Sequence, residues 1–202
     1  MKIPRLTLAA AALAAAIFLL PGASELLAWD RDVGGLISWL TVLTAHLTHW
    51  DLSHLVFDLL AWIVLGTMVE THSRRLWAWT IGLSAPLVSL FVLLAAPDVS
   101  IYRGLSGLDS ALFIAAALMI RGRAQKQDDP GVPWIAVSSI VALVAKITWE
   151  WSTGDSLFAR GGEFVTVPQA HLAGALAGWI AARTCVVTGP KRSQRQLSEI
   201  FS

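Results

Sequence analysis

Three residues far apart in the chain, His54, Ser106 and His171, carry the side chains from which a nucleophilic hydrolase is built. A serine hydroxyl becomes a useful nucleophile only when a base within hydrogen-bond reach takes its proton, and histidine is the commonest such base. Ser106 stands in Arg103-Gly104-Leu105-Ser106-Gly107, between glycines at the start of an apolar run. Glycines there permit unusual φ values and close backbone approach. If the run is a helix, its first turn offers unpaired N–H groups and the positive end of the helix dipole, both suited to a developing oxyanion. His171 opens another apolar run and is followed by Gly174 and Gly178, four residues apart. That small-xxx-small face lets its helix approach a neighbour closely. If the neighbour is the helix that begins near Ser106, the imidazole comes within reach of the hydroxyl.

The surrounding composition makes these polar residues conspicuous. The chain has 202 residues, 55% hydrophobic and 14% charged, with a mean hydropathy of +0.63. Soluble domains carry about 25% charged residues, so an integral membrane protein is expected. A net charge of +1, with no basic stretch interleaved with aromatics, gives no sign of a nucleic-acid partner. The single Cys185 cannot form an internal disulfide. Ionisable groups inside membrane spans are costly and are functional candidates by default; here they are His54, Asp58, Asp109, Lys146 and His171. Lys146, one turn from the end of its run, is expected to snorkel. His46, His49 and His72 fall at interfaces. His46 and His49 have i, i+3 spacing, but no carboxylate completes a metal site around them, and no metal or cofactor is expected.

Apolar runs long enough for a bilayer core of about 30 Å place these residues. Six are read: residues 6–20, with a possible continuation past Pro21 and Gly22 to about 28, then 54–69, 77–95, 105–120, 132–149 and 171–187. Residues 33–50 are apolar but short, and read as an interfacial or re-entrant segment. The first run also has the outline of a cleaved signal peptide, with Lys2 and Arg5 before an Ala-rich core. Eleven basic residues (Lys2, Arg5, Arg74, Arg75, Arg121, Arg123, Lys126, Arg183, Lys191, Arg192 and Arg195) fall on the side of the N-terminus. Only Arg31, Arg103 and Arg160 fall on the other. The positive-inside rule then puts both termini in the cytoplasm. Trp29, Trp50, Trp77, Trp134, Trp149 and Trp151 lie near the span ends, where aromatic belts form. Residues 121–131 read as a solvated cytoplasmic loop and 188–202 as a polar cytoplasmic tail. No internal repeat favours an inverted-repeat transporter. In this topology His54, Ser106 and His171 each stand at the outer start of a span, at a similar depth.

The motifs around them resemble those of the rhomboid intramembrane serine proteases. His49-Trp50-Asp51-Leu52-Ser53-His54-Leu55-Val56-Phe57-Asp58 matches the rhomboid His-x4-His-x3-Asn pattern except at its last position. Tyr102-Arg103-Gly104-Leu105-Ser106-Gly107 and Ala170-His171-Leu172-Ala173-Gly174-Ala175-Leu176-Ala177-Gly178 follow in order, and are most similar to the bacterial rhombosortase subgroup. The resemblance covers roughly residues 40–187. It implies an all-α, six-span bundle as a single domain over 1–187, in a bacterial inner membrane. It also implies a Ser106–His171 dyad without cofactors, with the oxyanion held by the Ser106 N–H and His54, and Gly104 in support. The substrate implied is a membrane protein with a transmembrane segment and a C-terminal Gly-Gly-type sorting signal. Water must reach the dyad, so an outward-facing polar cavity beneath residues 22–52 is implied as well.

Two positions depart from the family pattern. Asp58 stands where the family has an oxyanion-binding asparagine, and is read first as a buried, protonated donor, with orientation of His54 or His171 as the alternative. Ser110 stands where many rhomboids place an aromatic against the catalytic imidazole, so something else must support His171. Asp109 is a candidate polar partner within the bundle. The Asp58 exchange keeps open a second reading, a non-catalytic rhomboid-like protein that binds transmembrane clients. A small transporter using His54 and Asp58 for protons is a third.

Overall fold

The computed structural model describes residues 2–127, 132–155 and 166–187. The expected tail at 188–202, Arg160, and the end of the expected loop at 128–131 lie outside these. Eight α-helices make up the described chain: α1 (Arg5–Leu19), α2 (Ala23–Leu27), α3 (Leu36–Thr44), α4 (Leu52–His72), α5 (Arg74–Ala95), α6 (Ser106–Gln127), α7 (Val132–Thr153) and α8 (Pro168–Val187). By length and composition, three are apolar enough to cross a membrane: α4, α5 and, from Trp134 onward, α7. Expected spans 6–20, 105–120 and 171–187 correspond to α1, α6 and α8. The first does not run on to residue 28: α1 stops at Leu19, and Gly22 adopts φ +76° before the short α2.

Local signals in the sequence set these boundaries. Asp51 caps α4 by accepting the His54 N–H at 2.8 Å, and Ser73 caps α5 by accepting from Leu76 at 3.2 Å. Such caps are worth about 1 kcal/mol each. Pro86 lies within α5 and leaves the Gly82 carbonyl without its helical N–H partner. At the far end of α5, the Arg31 guanidinium donates to the carbonyls of Val92, Leu93, Ala96 and Val99 at 3.0–3.3 Å. Val92 and Leu93 are among the last four residues of α5, whose carbonyls a helix terminus leaves unpaired. Glu70 serves the start of α1 in the same way, accepting the Leu6 and Thr7 N–H groups and the Thr7 hydroxyl.

Helix α6 is the centre of the bundle and packs on α4, α5, α7 and α8. Its Ala111, Ala115, Ala116 and Ala117 are buried, and small side chains of this kind let four neighbours close in. The outward surfaces are the reverse of a soluble protein's. Val56 and Ile63 of α4, Trp134, Ile135, Val141 and Val144 of α7, and Leu172, Leu176 and Trp179 of α8 are all exposed. An apolar exterior this extensive is suited to lipid. The chain is therefore a helical membrane protein. Helix α3 fits the expected short segment at 33–50, with Leu36, Ile37, Trp39, Leu40 and Leu43 exposed along it. Trp29 departs from the expected belt: it is buried, and its indole donates to Ser38 at 3.0 Å.

Two short antiparallel strands, β1 (Trp29–Asp30) and β2 (Ile101–Tyr102), pair Trp29 with Tyr102 and Asp30 with Ile101. They tie the chain ahead of α3 to the chain ahead of α6, which is where the candidate site begins.

Candidate active site

Ser106 is the first residue of α6, and the segment leading to it is fixed by successive backbone ties. After β2, the Gly104 N–H donates to the Ala45 carbonyl at 3.1 Å. The Leu105 N–H then donates to Asp58 Oδ2 at 2.8 Å. Gly104 has φ +119°, and a Cβ there would fall 2.7 Å from His54 Nε2, so only glycine fits without strain. Tyr102 packs edge-on against His46, with ring centroids 5.5 Å apart. Its burial, with the negative charge of Asp58 and Asp109 nearby, pushes the phenol well above its ordinary pKa, which keeps the hydroxyl protonated.

Helix α8 brings His171 to this point. Its Gly174 lies against the backbone of Gly107, and its Gly178 against that of Ala111, closely enough that neither position has room for a Cβ. The small-residue face therefore docks on α6. The outcome is a distance of 3.0 Å between His171 Nε2 and Ser106 Oγ. The serine hydroxyl and the imidazole are within the range at which a base takes a proton.

The other nitrogen of His171 meets a residue that the sequence reading missed. Nδ1 lies 2.8 Å from Glu150 Oε2, and Glu150 is itself held by Lys146 Nζ at 2.7 and 2.8 Å. Lys146 Nζ is also 3.3 Å from His171 Nδ1. Lys146 thus does not snorkel to the interface: its side chain is only 19% exposed and faces the site. The support for His171 that Ser110 cannot provide comes from α7; Ser110 instead donates to the Ser106 carbonyl at 2.9 Å. The signal was present in the Lys146-x3-Glu150 spacing within an apolar run, which puts opposite charges on one helix face.

Asp58 partners the histidines of its own end of the bundle. Its Oδ2 lies 3.2 Å from His49 Nε2 and 3.3 Å from His54 Nε2, in addition to accepting from Leu105. Oδ2 accepts from the Leu105 N–H and lies beside both imidazoles, an arrangement compatible with orienting His54. His46 and His49, expected at an interface, are buried. His46 Nε2 meets the Ala85 carbonyl at 3.1 Å and Ser89 Oγ at 3.0 Å on α5. Burial pushes its pKa down to about 4. Asp109 is buried, and neither of its carboxylate oxygens has a hydrogen-bond partner among the described residues.

These groups surround one cavity of about 710 Å³, which His54, Asp58, Ser106, Asp109, Lys146, Glu150 and His171 all line. Its volume lies in the range of ligand-binding clefts. Helices α4 and α7 form opposite walls, each packed on α6 rather than on the other. Much of the rest of the lining is apolar, including Phe57, Leu60, Val64 and Phe113.

The fold and this cavity define a helical membrane protein with a polar site let into its core. Residues 37–187 match the rhomboid domain, and the chain belongs to the rhomboid family. That is a family of intramembrane proteases that act on membrane-protein substrates within the bilayer. No curated protein matches the chain.

Proposed function

We propose that this protein is an intramembrane serine endopeptidase in which Ser106 is the nucleophile and His171 the general base. The observation that carries the reading is the 3.0 Å approach of His171 Nε2 to Ser106 Oγ in a cavity whose lining is otherwise largely apolar. Ser106 attacks the scissile carbonyl as Nε2 takes its proton, and the imidazolium returns that proton to the leaving amine. Water then enters by the same route and releases the acyl group. The oxyanion lies at the start of α6, where the Ser106 N–H and its dipole favour negative charge. His54 Nε2, now beside Asp58, exchanges that partner for the oxyanion as it forms.

The apolar part of the lining suits the unwinding end of a transmembrane segment. Helices α1, α4, α5, α6, α7 and α8 make six crossings with both termini cytoplasmic, a reading supported by the eleven-to-three partition of basic residues. The motifs Gly104-Leu105-Ser106-Gly107 and Ala170 to Gly178 support a rhombosortase-type substrate: a membrane-anchored protein of the bacterial inner membrane with a C-terminal Gly-Gly-type signal. The binding-only alternative draws on Asp58, but the paired serine and histidine have no evident use in a pure binder.

Reconstitution in liposomes with a substrate bearing a Gly-Gly signal, a transmembrane segment and a basic tail tests the reading. Wild type should cleave it, while Ser106→Ala and His171→Ala should not. Cleavage that survives Ser106→Ala refutes the mechanism. No cleavage of any transmembrane substrate by wild type favours the binder.

A further inference from the structure

We infer that Glu150 is a positioning residue for the reaction, so that the site works as a Ser106–His171–Glu150 relay with Lys146 holding the carboxylate. The inference rests on the protease reading above and adds to it two residues of α7. The geometry is continuous: Ser106 Oγ to His171 Nε2 is 3.0 Å, His171 Nδ1 to Glu150 Oε2 is 2.8 Å, and Lys146 Nζ spans both Glu150 oxygens at 2.7 and 2.8 Å. Glu150 is 1% exposed. A buried carboxylate persists only when paired and hydrogen-bonded, and Lys146 supplies that pairing.

The tautomer follows from these distances. Nδ1 has two neighbours, the Glu150 carboxylate at 2.8 Å and the Lys146 ammonium at 3.3 Å. The carboxylate is the nearer, and the ammonium is already engaged by both of its oxygens. Nδ1 therefore carries the proton and donates it to Oε2, which leaves the lone pair of Nε2 facing the serine hydroxyl. When Ser106 Oγ bonds to the substrate carbonyl carbon, its proton moves to Nε2 and the imidazolium donates from both nitrogens. As the C–N bond breaks, the Nε2 proton leaves with the amine. In deacylation, water gives a proton to Nε2 while its oxygen attacks, and Ser106 Oγ recovers that proton. Glu150 keeps its charge throughout and takes no proton.

Lys146 sets how strongly Glu150 acts. The ammonium offsets much of the carboxylate charge felt by the imidazole, so the two neighbours pull the protonation of His171 in opposite directions. The other charged and titratable groups around His171 are Asp58, His49 and His54 on the α4 side, Tyr102 and Arg103 ahead of α6, and Asp109 on α6. They are common to every variant below.

The test is the pH dependence of kcat/KM in liposomes for Glu150→Gln, Lys146→Met and the double variant. The acid limb of kcat/KM reports deprotonation of the base in the free enzyme. Glu150→Gln should lower kcat by about a hundredfold or more, with KM little changed, and move the acid limb to lower pH. Lys146→Met should move it to higher pH. Glu150→Gln alone leaves a buried ammonium without its partner and can fail by misfolding, so the double variant is decisive. With the charge pair removed together, a merely structural role predicts recovery of kcat. The relay predicts that kcat stays about a hundredfold low. Recovery to within about threefold of wild type, or an acid limb unmoved in Lys146→Met, overturns the inference while leaving the protease reading intact. Wild type that neither cleaves a membrane substrate nor reacts with a fluorophosphonate overturns both.

Discussion

The backbone of Gly174 on α8 rests directly on the Gly107 carbonyl of α6. Gly107 follows the candidate nucleophile, and Gly174 lies three residues beyond the candidate base. The crossing of the two helices therefore sets the distance between hydroxyl and imidazole. A methyl group at position 174 must push the helices apart, at a cost of about 1–3 kcal/mol or more. Gly174→Ala should unfold at lower temperature in detergent and lose nearly all cleavage. Gly82 of α5 has nothing within 4 Å of its would-be Cβ, so Gly82→Ala should raise stability by about 0.5–1 kcal/mol and leave cleavage unchanged. Equal effects at the two sites would show that the α6–α8 contact is not what holds the dyad.

Asp58 makes a second prediction, because its hydrogen bond to the Leu105 N–H fixes the residue before Ser106. Asp58→Asn retains a carbonyl oxygen that can accept this bond and should keep measurable cleavage, within about tenfold of wild type. Asp58→Ala leaves a buried N–H unpaired, which costs about 1–3 kcal/mol, and should lose far more activity. Steady-state kinetics of the two variants decides. Full activity in Asp58→Ala would remove the residue from the account.

A third prediction concerns stability against pH. His46 is buried between the chain after α3 and helix α5, and burial holds its pKa at about 4 in the folded protein, against about 6.5 unfolded. The unfolded state therefore binds the proton first. The contribution is fully present above pH 6.5 and is lost as pH falls from 6.5 through 4, by about 3 kcal/mol in all. Thermal midpoints measured between pH 7.5 and 4 should fall, and should fall less in His46→Gln. Identical slopes for the two proteins would assign the acid sensitivity elsewhere.

Much of the site was legible in the sequence because its parts are local. Ser106 and Gly104 mark a helix start, and Gly174 and Gly178 mark a face four residues apart. A span order of two, four and six put their histidines and serine at one depth. Glu150 was not legible in the same way. Helical periodicity groups Lys146 with Glu150 on one face, but the rotation of α7 about its axis decides whether that face meets lipid, water or His171. Its neighbours Trp149 and Trp151 suggested an interface, and both are indeed exposed while Glu150 is buried. The burial of His46 and His49 was hidden for a similar reason, since it depends on tertiary contacts, His46 with Ala85 and Ser89 of α5 and His49 with Asp58 and His54 of α4. Helix α6 is packed on four neighbouring helices and carries small buried residues such as Ala111 and Ala115.

The central claim is that Ser106 is an activated nucleophile with His171 as its base. The most direct measurement is covalent labelling by a fluorophosphonate in liposomes, with the modified residue identified by mass spectrometry. Wild type should be labelled at Ser106 alone, and His171→Ala should be labelled at least about a hundredfold more slowly. Labelling of Ser106 at the wild-type rate in His171→Ala, or labelling of wild type at another residue, would contradict the account.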